Sequence, residues 1–536
     1  MDGGQPIPRA VFLPLAALIL FVCYFGGLNN VGLVGPDEPR YAWVARAMAE
    51  SGDWVTPRLY GETWFEKPVL YYWAAGAAFR AFGVSEFAAR LPSALMALLA
   101  TFALAGLAKR LYGPLAEQLT VLMVPTAVGM FGFARAATTD MLFSGALALA
   151  MACATVLVGF PSGTRPERYW LFFFGGALGL AALAKGPAAI VLAGGSVFLW
   201  MIITRKGREA FRLLRPEAIF AFAAVSLPWY VVCAMRNPEF IQVFLVSHNF
   251  ERYLTPVFQH EQPFWFYGPI LLLGLTPWTA LLVAAISDGV RAIQARAVGD
   301  SAGFFLFCWA LFPVVFFSAS KSKLPGYILP AIPPLVLLLV RGISRAIEER
   351  RGGARWLVAL TGLTFVALAV SAGYWAQRLP ADSTLGDPQS RMMWMAAVGM
   401  CGFLIILLAV AGRPAGGIVA SAVFFAALVA QVSYRELPRL DSYLSPRMAA
   451  QSVPRLEHLG PARAYRLHRA WHYGLNFYLH RRVDEWAPES RTTALVCTTE
   501  RQAVRDILSR GYNIPTFTVP GGPTKMFLLQ VVPKAP

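Results

Sequence analysis

An α-helical polytopic membrane protein with about thirteen transmembrane helices, followed by a small C-terminal α/β domain, is the fold class that this sequence predicts. Three observations carry the prediction. Hydrophobic residues make up 57% of the chain and charged residues only 14%, whereas a soluble chain has about a quarter of its residues charged. Long apolar runs with at most one charge, at 11–29, 115–133, 141–159 and 356–375, approach the ~20 residues that span a bilayer. The basic residues cluster between such runs, where the positive-inside rule puts them.

Taken in order, the apolar runs predict spans at 11–29, 88–108, 115–133, 139–160, 170–184, 186–204, 217–235, 264–286, 302–319, 326–343, 356–376, 392–411 and 415–433. With the N-terminus in the cytoplasm, the inner loops hold Lys109/Arg110, Arg165/Arg168, Arg205/Lys206/Arg208, Arg291/Arg296, Arg345/Arg350/Arg351/Arg355 and Arg413. Each such loop is basic, as the rule demands. The apolar run after Arg9 is too long for a signal-peptide core and reads as a retained first span.

The outward segments are then 30–87, a turn near 134–138, 236–263, the loop near 320–325, a linker near 377–391 and the tail. The first of these contains a helix-like stretch at 38–50, closed by Ser51-Gly52-Asp53. In the tail, 462–467, 493–498 and 526–532 read as strands and 501–510 as an amphipathic helix. Two domains follow: a transmembrane domain over 1–433, with its first periplasmic loop at about 30–87, and a periplasmic α/β domain over 434–536.

A net charge of +17 would suggest nucleic acid in a soluble protein. Here the basic residues belong to the loop pattern, with no aromatic-interleaved basic stripe, so membrane lipids are the expected contact and nucleic acid is not. Five of the six cysteines fall in apolar spans and Cys497 stands alone in the tail. Neither a disulfide framework nor a structural zinc site is indicated. Without a P-loop, a GxGxxG turn or a GxSxG elbow, ATP hydrolysis and nicotinamide chemistry have no foothold.

The chemistry-bearing residues collect in the outward segments. The first reads Pro36-Asp37-Glu38-Pro39-Arg40-Tyr41, then Gly52-Asp53-Trp54, then Phe65-Glu66-Lys67-Pro68. Asp37 and Glu38 can cap the following helix, since carboxylates suit the positive end of its dipole. For Asp37 that reading and a functional one weigh evenly, and Glu38 reads as structural. Arg40, Glu66 and Lys67 nearby tip Asp37 towards function, because charges near a membrane tend to be functional. Arg40 and Lys67 could instead snorkel to headgroups. Asp140, at the mouth of the fourth span, needs a partner or water beside its apolar run. Lys185, Lys321 and Lys323 stand outward against the charge rule, which with Arg40 makes a cationic patch suited to phosphate. His248 and Arg252 lie in Ser247-His248-Asn249-Phe250-Glu251-Arg252-Tyr253. A lone loop histidine is usually solvated, and pairing His248 with an acid such as Glu66 on a metal is weakly supported.

Asp-Glu-x-Arg-Tyr, Ser-Gly-Asp-Trp, Phe-Glu-Lys-Pro, Lys-Gly, Pro-Phe-Trp-Phe-Tyr at 263–267 and Lys-x-Lys-Leu-Pro-x-Tyr at 321–327 resemble motifs of the C-type membrane glycosyltransferases. The chain is similar to the protein O-mannosyltransferase superfamily, and within it to bacterial 4-amino-4-deoxy-L-arabinose transferases acting on lipid A. The resemblance runs to about residue 345. It implies a bacterial inner-membrane enzyme with a polyprenyl-phosphate (undecaprenyl-phosphate) sugar donor, used on the periplasmic side without a nucleotide. It also implies an envelope acceptor such as lipid A. On matching positions, Asp37 is the family's essential first-loop acid. Arg40, Tyr41, Glu66, Lys67, Asp140, Lys185, His248 and Tyr327 fall on cavity positions, with Glu66 and His248 at a metal position. A divalent ion is the one cofactor so implied. Pro39 stands where the lipid A enzymes often have a small polar residue, and the tail carries no matching motif.

The residues fit that chemistry. Asp37 and Asp140 are the expected catalytic acids. Arg40, Tyr41, Lys67, Lys185, Arg252, Lys321, Lys323 and Tyr327 are the expected substrate-binding set. Negative charge builds on a departing polyprenyl phosphate, and oriented cations in a dry cleft stabilise it. A hydroxyl acceptor needs a base, for which Asp37 is the candidate. A phosphate acceptor needs none, and Asp37 would then position it or bind a sugar amine. A lipid or sugar transporter is the competing class, but paired broken helices in two halves are its usual mark.

Overall fold

The computed structural model describes residues 6–159, 166–251, 261–294, 301–378, 383, 386–519 and 526–534. The chain divides into two compact units. One comprises Met1–Gly26, Phe65–Tyr71 and Pro92–Ala430, and the other Gly27–Trp64, Tyr72–Leu91 and Gln431–Pro536.

The first unit is helical. Among the described residues, eight helices are long and apolar enough to cross a bilayer, or ten if each of two bent pairs counts as one span. Thr139–Gly159 is the most enclosed. The bent pairs explain where uniform reading of the apolar runs falls short. Pro114–Thr126 and Val128–Ala134 meet at 61°, just after Pro125, and Tyr267–Gly274 meets Trp278–Arg291 at 105° around Pro277. A proline removes a backbone donor and clashes with the preceding turn, so a single apolar run becomes two helices. Arg9–Tyr24 and Ala188–Thr204 are shorter apolar helices. Among the described residues, length and composition alone identify eight to ten of the thirteen expected spans.

Large apolar side chains such as Phe173, Phe220, Met400 and Phe403 are exposed on helices of this unit, as lipid-facing surface requires. Where helices touch, small residues let backbones approach. A Cβ on Gly362 of Gly353–Trp375 would lie 2.7 Å from the Gly402 carbonyl of Pro388–Val410, and one on Gly402 equally close to the Gly362 carbonyl. That mutual contact has no room for a methyl group.

The second unit contains a four-stranded sheet in the order Ala462–Ala464, Ala494–Thr498, Phe527–Pro533, Tyr512–Thr518. The first pairing is parallel and the other two antiparallel. Three of these strands were expected. Tyr512–Thr518, an edge strand interrupted by Pro515 with a register shift there, was not, nor was helix Arg469–Leu479. Val453, Leu475, Cys497 and Leu528 pack in its core, and burial raises the Cys497 thiol to about 12.

The first loop is more structured than a connector. It forms helix Asp37–Ser51, the hairpin Arg58–Leu59 with Glu62–Thr63, and helix Leu70–Phe82. Asp37–Ser51 begins with two acids and ends at Gly52, whose φ of 76° is left-handed, the ordinary chemistry of both helix ends. Loop and tail residues bond directly. The Gly32 amide donates to Asp441, the Leu33 amide to the Tyr478 hydroxyl, and that hydroxyl to Glu86 at 2.9 Å. Arg447 links Asp441 at 2.7 Å, Glu86 at 3.2 Å and the Asn29 carbonyl.

Candidate active site

In the helical unit, Asp140 stands in the first turn of Thr139–Gly159 and Lys185 is the last residue of Pro166–Lys185. An acid at a helix N-terminus and a base at a C-terminus each complement the helix dipole. The Lys185 ammonium lies 2.5 Å from Asp140 Oδ1, with side-chain exposures of 12% and 19%. Burial of this degree costs each ion several kcal/mol of hydration, which the pairing must offset. The Tyr327 and Phe143 rings flank the ammonium at 5.2 and 5.3 Å.

Tyr327 is carried by the tight turn Pro325–Ala331. Gly326 permits its close approach, since a Cβ there would stand 3.0 Å from Asp140 Oδ1 and 3.1 Å from the Phe133 ring. Lys67 pairs with Glu66 at 3.4 Å, both mostly buried, and its charge also acts on Asp140. The structure therefore brings together Lys67, Asp140, Lys185 and Tyr327.

The lysines of the following loop part ways. Lys321 is exposed. Lys323 is buried, and its ammonium donates to the Ser320 carbonyl at 2.5 Å. That bond ties Lys323 to its own turn. Arg252 lies outside the described residues, as does the side chain of His248, which stands on helix Gln242–Glu251.

Among the described residues, no three His, Cys, Asp or Glu side chains gather as a metal site. Glu66, the one described member of the expected pair, faces the Lys67 ammonium.

In the second unit, Arg40 is buried and donates to Asp37 Oδ1 at 2.5 Å, while the Asp37 side chain keeps 46% exposure. Glu38 turns away to a buried pair with Arg90 at 2.6 Å and accepts from the Val34 amide, so it is structural. Arg90 also donates to the carbonyls of Leu28, Val31 and Gly32. Three rings face the Arg40 guanidinium: Tyr41 at 5.2 Å, Trp64 at 5.4 Å and Tyr473 at 5.6 Å. Tyr41 packs edge-on against Tyr72. Burial pushes the nearby Tyr60 hydroxyl up to about 12, so it stays protonated.

Trp64 and Tyr473 are the site residues that sequence reasoning missed. Trp64 adjoins the Phe-Glu-Lys-Pro motif and was within reach. Tyr473 had no signal, because its partner lies in a distant part of the chain.

The family model described as dolichyl-phosphate-mannose-protein mannosyltransferase matches residues 10–244. An undecaprenyl phosphate-alpha-4-amino-4-deoxy-L-arabinose arabinosyl transferase from Yersinia enterocolitica is 34% identical over 398 residues, which is 73% of this chain and 70% of that relative. Its counterpart from Edwardsiella ictaluri is 33% identical over 361 residues, 66% of this chain and 64% of the relative. The chain thus matches somewhat under two thirds of the length of that second relative. The crystal structure of ArnT from Cupriavidus metallidurans bound to undecaprenyl phosphate superposes with a TM-score of 0.76, covering 97% of both chains at 22% identity. Its apo form gives 0.75. At that identity the likeness is one of fold. Fold and composition place the chain in the class of polytopic membrane proteins built like these structures. Within the class, it belongs to the family of undecaprenyl phosphate-alpha-4-amino-4-deoxy-L-arabinose arabinosyl transferases.

Proposed function

We propose that the protein transfers an aminoarabinose-type sugar from undecaprenyl phosphate to lipid A at the periplasmic face of a bacterial inner membrane. The observation that carries this reading is the buried Asp140–Lys185 pair with Tyr327 against it. In the reaction the bond between the sugar's anomeric carbon and the donor phosphate breaks, and a bond to an acceptor oxygen forms. Charge develops on the leaving polyprenyl phosphate. Lys185 and Lys67 are the cations that meet it in the helical unit, where low dielectric strengthens their effect. Asp140 holds the Lys185 ammonium in place for that task.

Asp37 acts as a positioning group. One of its oxygens is taken by Arg40, while its partial exposure leaves the other for a donor such as the sugar's ammonium. A lipid A phosphate is already anionic and needs no base. Arg40, set among three rings, suits a phosphate oxygen through its planar fork. Tyr41 is part of that frame. Lys321 serves as an outlying cation for substrate approach, and Arg252 and His248 as further substrate contacts.

The same reading gives thirteen spans: the eight long helices, the two bent pairs, the two shorter apolar helices and Pro166–Lys185. The basic loops stay cytoplasmic, and 434–536 is a periplasmic domain.

The test is purified protein in nanodiscs with undecaprenyl-phosphate-linked aminoarabinose and lipid A. Release of undecaprenyl phosphate and a matching gain of mass on lipid A are expected, both lost in Lys185→Ala. No release with any acceptor, or wild type equal to Lys185→Ala, ends this reading. A mass gain on protein rather than lipid A would move the activity to O-mannosyltransferase type.

A further inference from the structure

The aromatic run Pro263-Phe264-Trp265-Phe266-Tyr267 divides by environment. Phe264 and Trp265 are 78% and 59% exposed, whereas Tyr267 is fully buried at the first position of helix Tyr267–Gly274. The Tyr267 hydroxyl donates to the Leu324 carbonyl at 3.3 Å. That same carbonyl accepts from the Tyr327 amide at 3.1 Å. One oxygen thus joins Tyr267 to the turn Pro325–Ala331, which carries Tyr327.

Helix Tyr267–Gly274 braces both ends of that turn. Its first residue makes the Leu324 bond at the start. Its last residue meets Ile332 just past the end, where a Cβ on Gly274 would lie 3.0 Å from Ile332 Cδ1. A Cβ on Gly129 would strike the same methyl group, so this contact is tight from two sides. Beside it, Glu261 and Ser322 form an antiparallel bridge. The Phe317 ring packs against both tyrosines, its centre 6.5 Å from Tyr267 and 5.3 Å from Tyr327. Side chains packed at this density transmit a shift of one to the next.

We propose that Tyr267 is a positioning residue for the reaction. Through Leu324 it sets the Tyr327 ring, which lies 5.2 Å from the Lys185 ammonium, and so fixes where that ammonium stands. The inference rests on the proposed role of Lys185 in meeting charge on the leaving phosphate. The hydroxyl is the operative group. Phenylalanine at 267 would keep the ring against Phe317 and leave the Leu324 carbonyl bonded to the Tyr327 amide, so no buried polar group is orphaned. The turn would lose one of two bonds at that carbonyl. Slack of tenths of an ångström follows, and a preorganised cation loses effect when it is misplaced.

The test pairs kinetics with hydrogen–deuterium exchange on the full protein in nanodiscs. Tyr267→Phe is expected to melt as wild type does and to lower kcat about tenfold. The KM for the undecaprenyl-phosphate-linked sugar should not change, because only the transition state carries the extra charge. The peptide containing the Tyr327 amide should exchange about threefold to tenfold faster. In a Tyr327→Leu background, Tyr267→Phe should cause no further loss of kcat, as residues acting through one contact behave. Losses that multiply would overturn the proposal, as would an unchanged kcat in the single variant or a melting temperature that falls with it. The exchange result stands whatever wild type transfers: faster exchange supports the brace, and unchanged exchange overturns it. A wild type inactive with every acceptor fails the proposed function instead.

Discussion

Asp140 and Lys185 stand 45 residues apart in sequence and meet at 2.5 Å, with the Tyr327 ring 5.2 Å from the ammonium. Removing either partner alone strands a buried charge, which costs about 3–5 kcal/mol. Asp140→Asn and Lys185→Ala should each lower the melting temperature in detergent and reduce transfer at least about a hundredfold. The double change Asp140→Asn with Lys185→Met should recover the melting temperature while transfer stays lost. Recovery of both together would mean that the pair is purely structural.

Arg40 offers a second contrast. Arg40→Lys keeps the charge but gives up stacking on Tyr41, Trp64 and Tyr473, a loss of ~0.5–2 kcal/mol. A fall of about tenfold in kcat/KM is expected. Tyr473→Phe keeps the ring and should behave as wild type, whereas Tyr473→Leu should follow Arg40→Lys. Equal activity of the Phe and Leu variants would remove the tail's ring from the site.

Neighbouring acids should separate by phenotype. Glu38→Gln breaks the buried pair with Arg90, so thermal unfolding should shift by several kcal/mol. Asp37→Asn should leave unfolding within about 0.5 kcal/mol, because its side chain is partly exposed, yet abolish most transfer. The pair of melting curves with the pair of rates decides this. Indistinguishable melting temperatures for the two variants would contradict the division of labour.

Gly326→Ala places a methyl group 3.0 Å from Asp140 Oδ1 and 3.1 Å from the Phe133 ring. Displacement of Asp140 or of the turn by a few tenths of an ångström should cut kcat about tenfold, with the protein still folded. Unaltered kcat would show that the turn has slack.

A pH effect arises away from the chemistry. Burial acts to raise the Glu50 carboxyl, but hydrogen bonds and charge from Arg46 and His480 outweigh it and hold it below the ordinary 4.5. A carboxyl depressed in the folded state contributes its stability above the unfolded value and loses it as pH falls through the lower folded value. Glu50 is 45% exposed, so the contribution is screened to ~0.2–1 kcal/mol. Wild type minus Glu50→Gln stability should shrink as pH falls below 4.5. A difference that grows on acidification would reverse the sign of this argument.

Much of the membrane architecture was legible because lipid-facing and buried helix surfaces are both apolar, leaving long runs with few charges. The bends at Pro125 and Pro277 were not, because a proline inside a run does not announce whether the helix kinks or breaks. Strand Tyr512–Thr518 escaped for a related reason. Pro515 argues against a strand, yet the strand lies at the sheet's edge, where a missing donor is tolerated. At the site, Asp140 and Lys185 were singled out individually as charges out of place in an apolar chain. Their partnership depends on two helices running antiparallel, which no local pattern encodes.

The Leu33 amide and the Tyr478 hydroxyl that accepts its hydrogen bond are 445 residues apart, and the Arg40–Tyr473 contact spans a similar interval. A ribosome adding roughly 5–20 residues per second takes tens of seconds to cross that distance. Throughout that time the membrane helices are being inserted while the arginine waits for its third ring. A nascent chain therefore lacks this ring until the tail is made, and a prematurely terminated one holds Arg40 with two of its three rings.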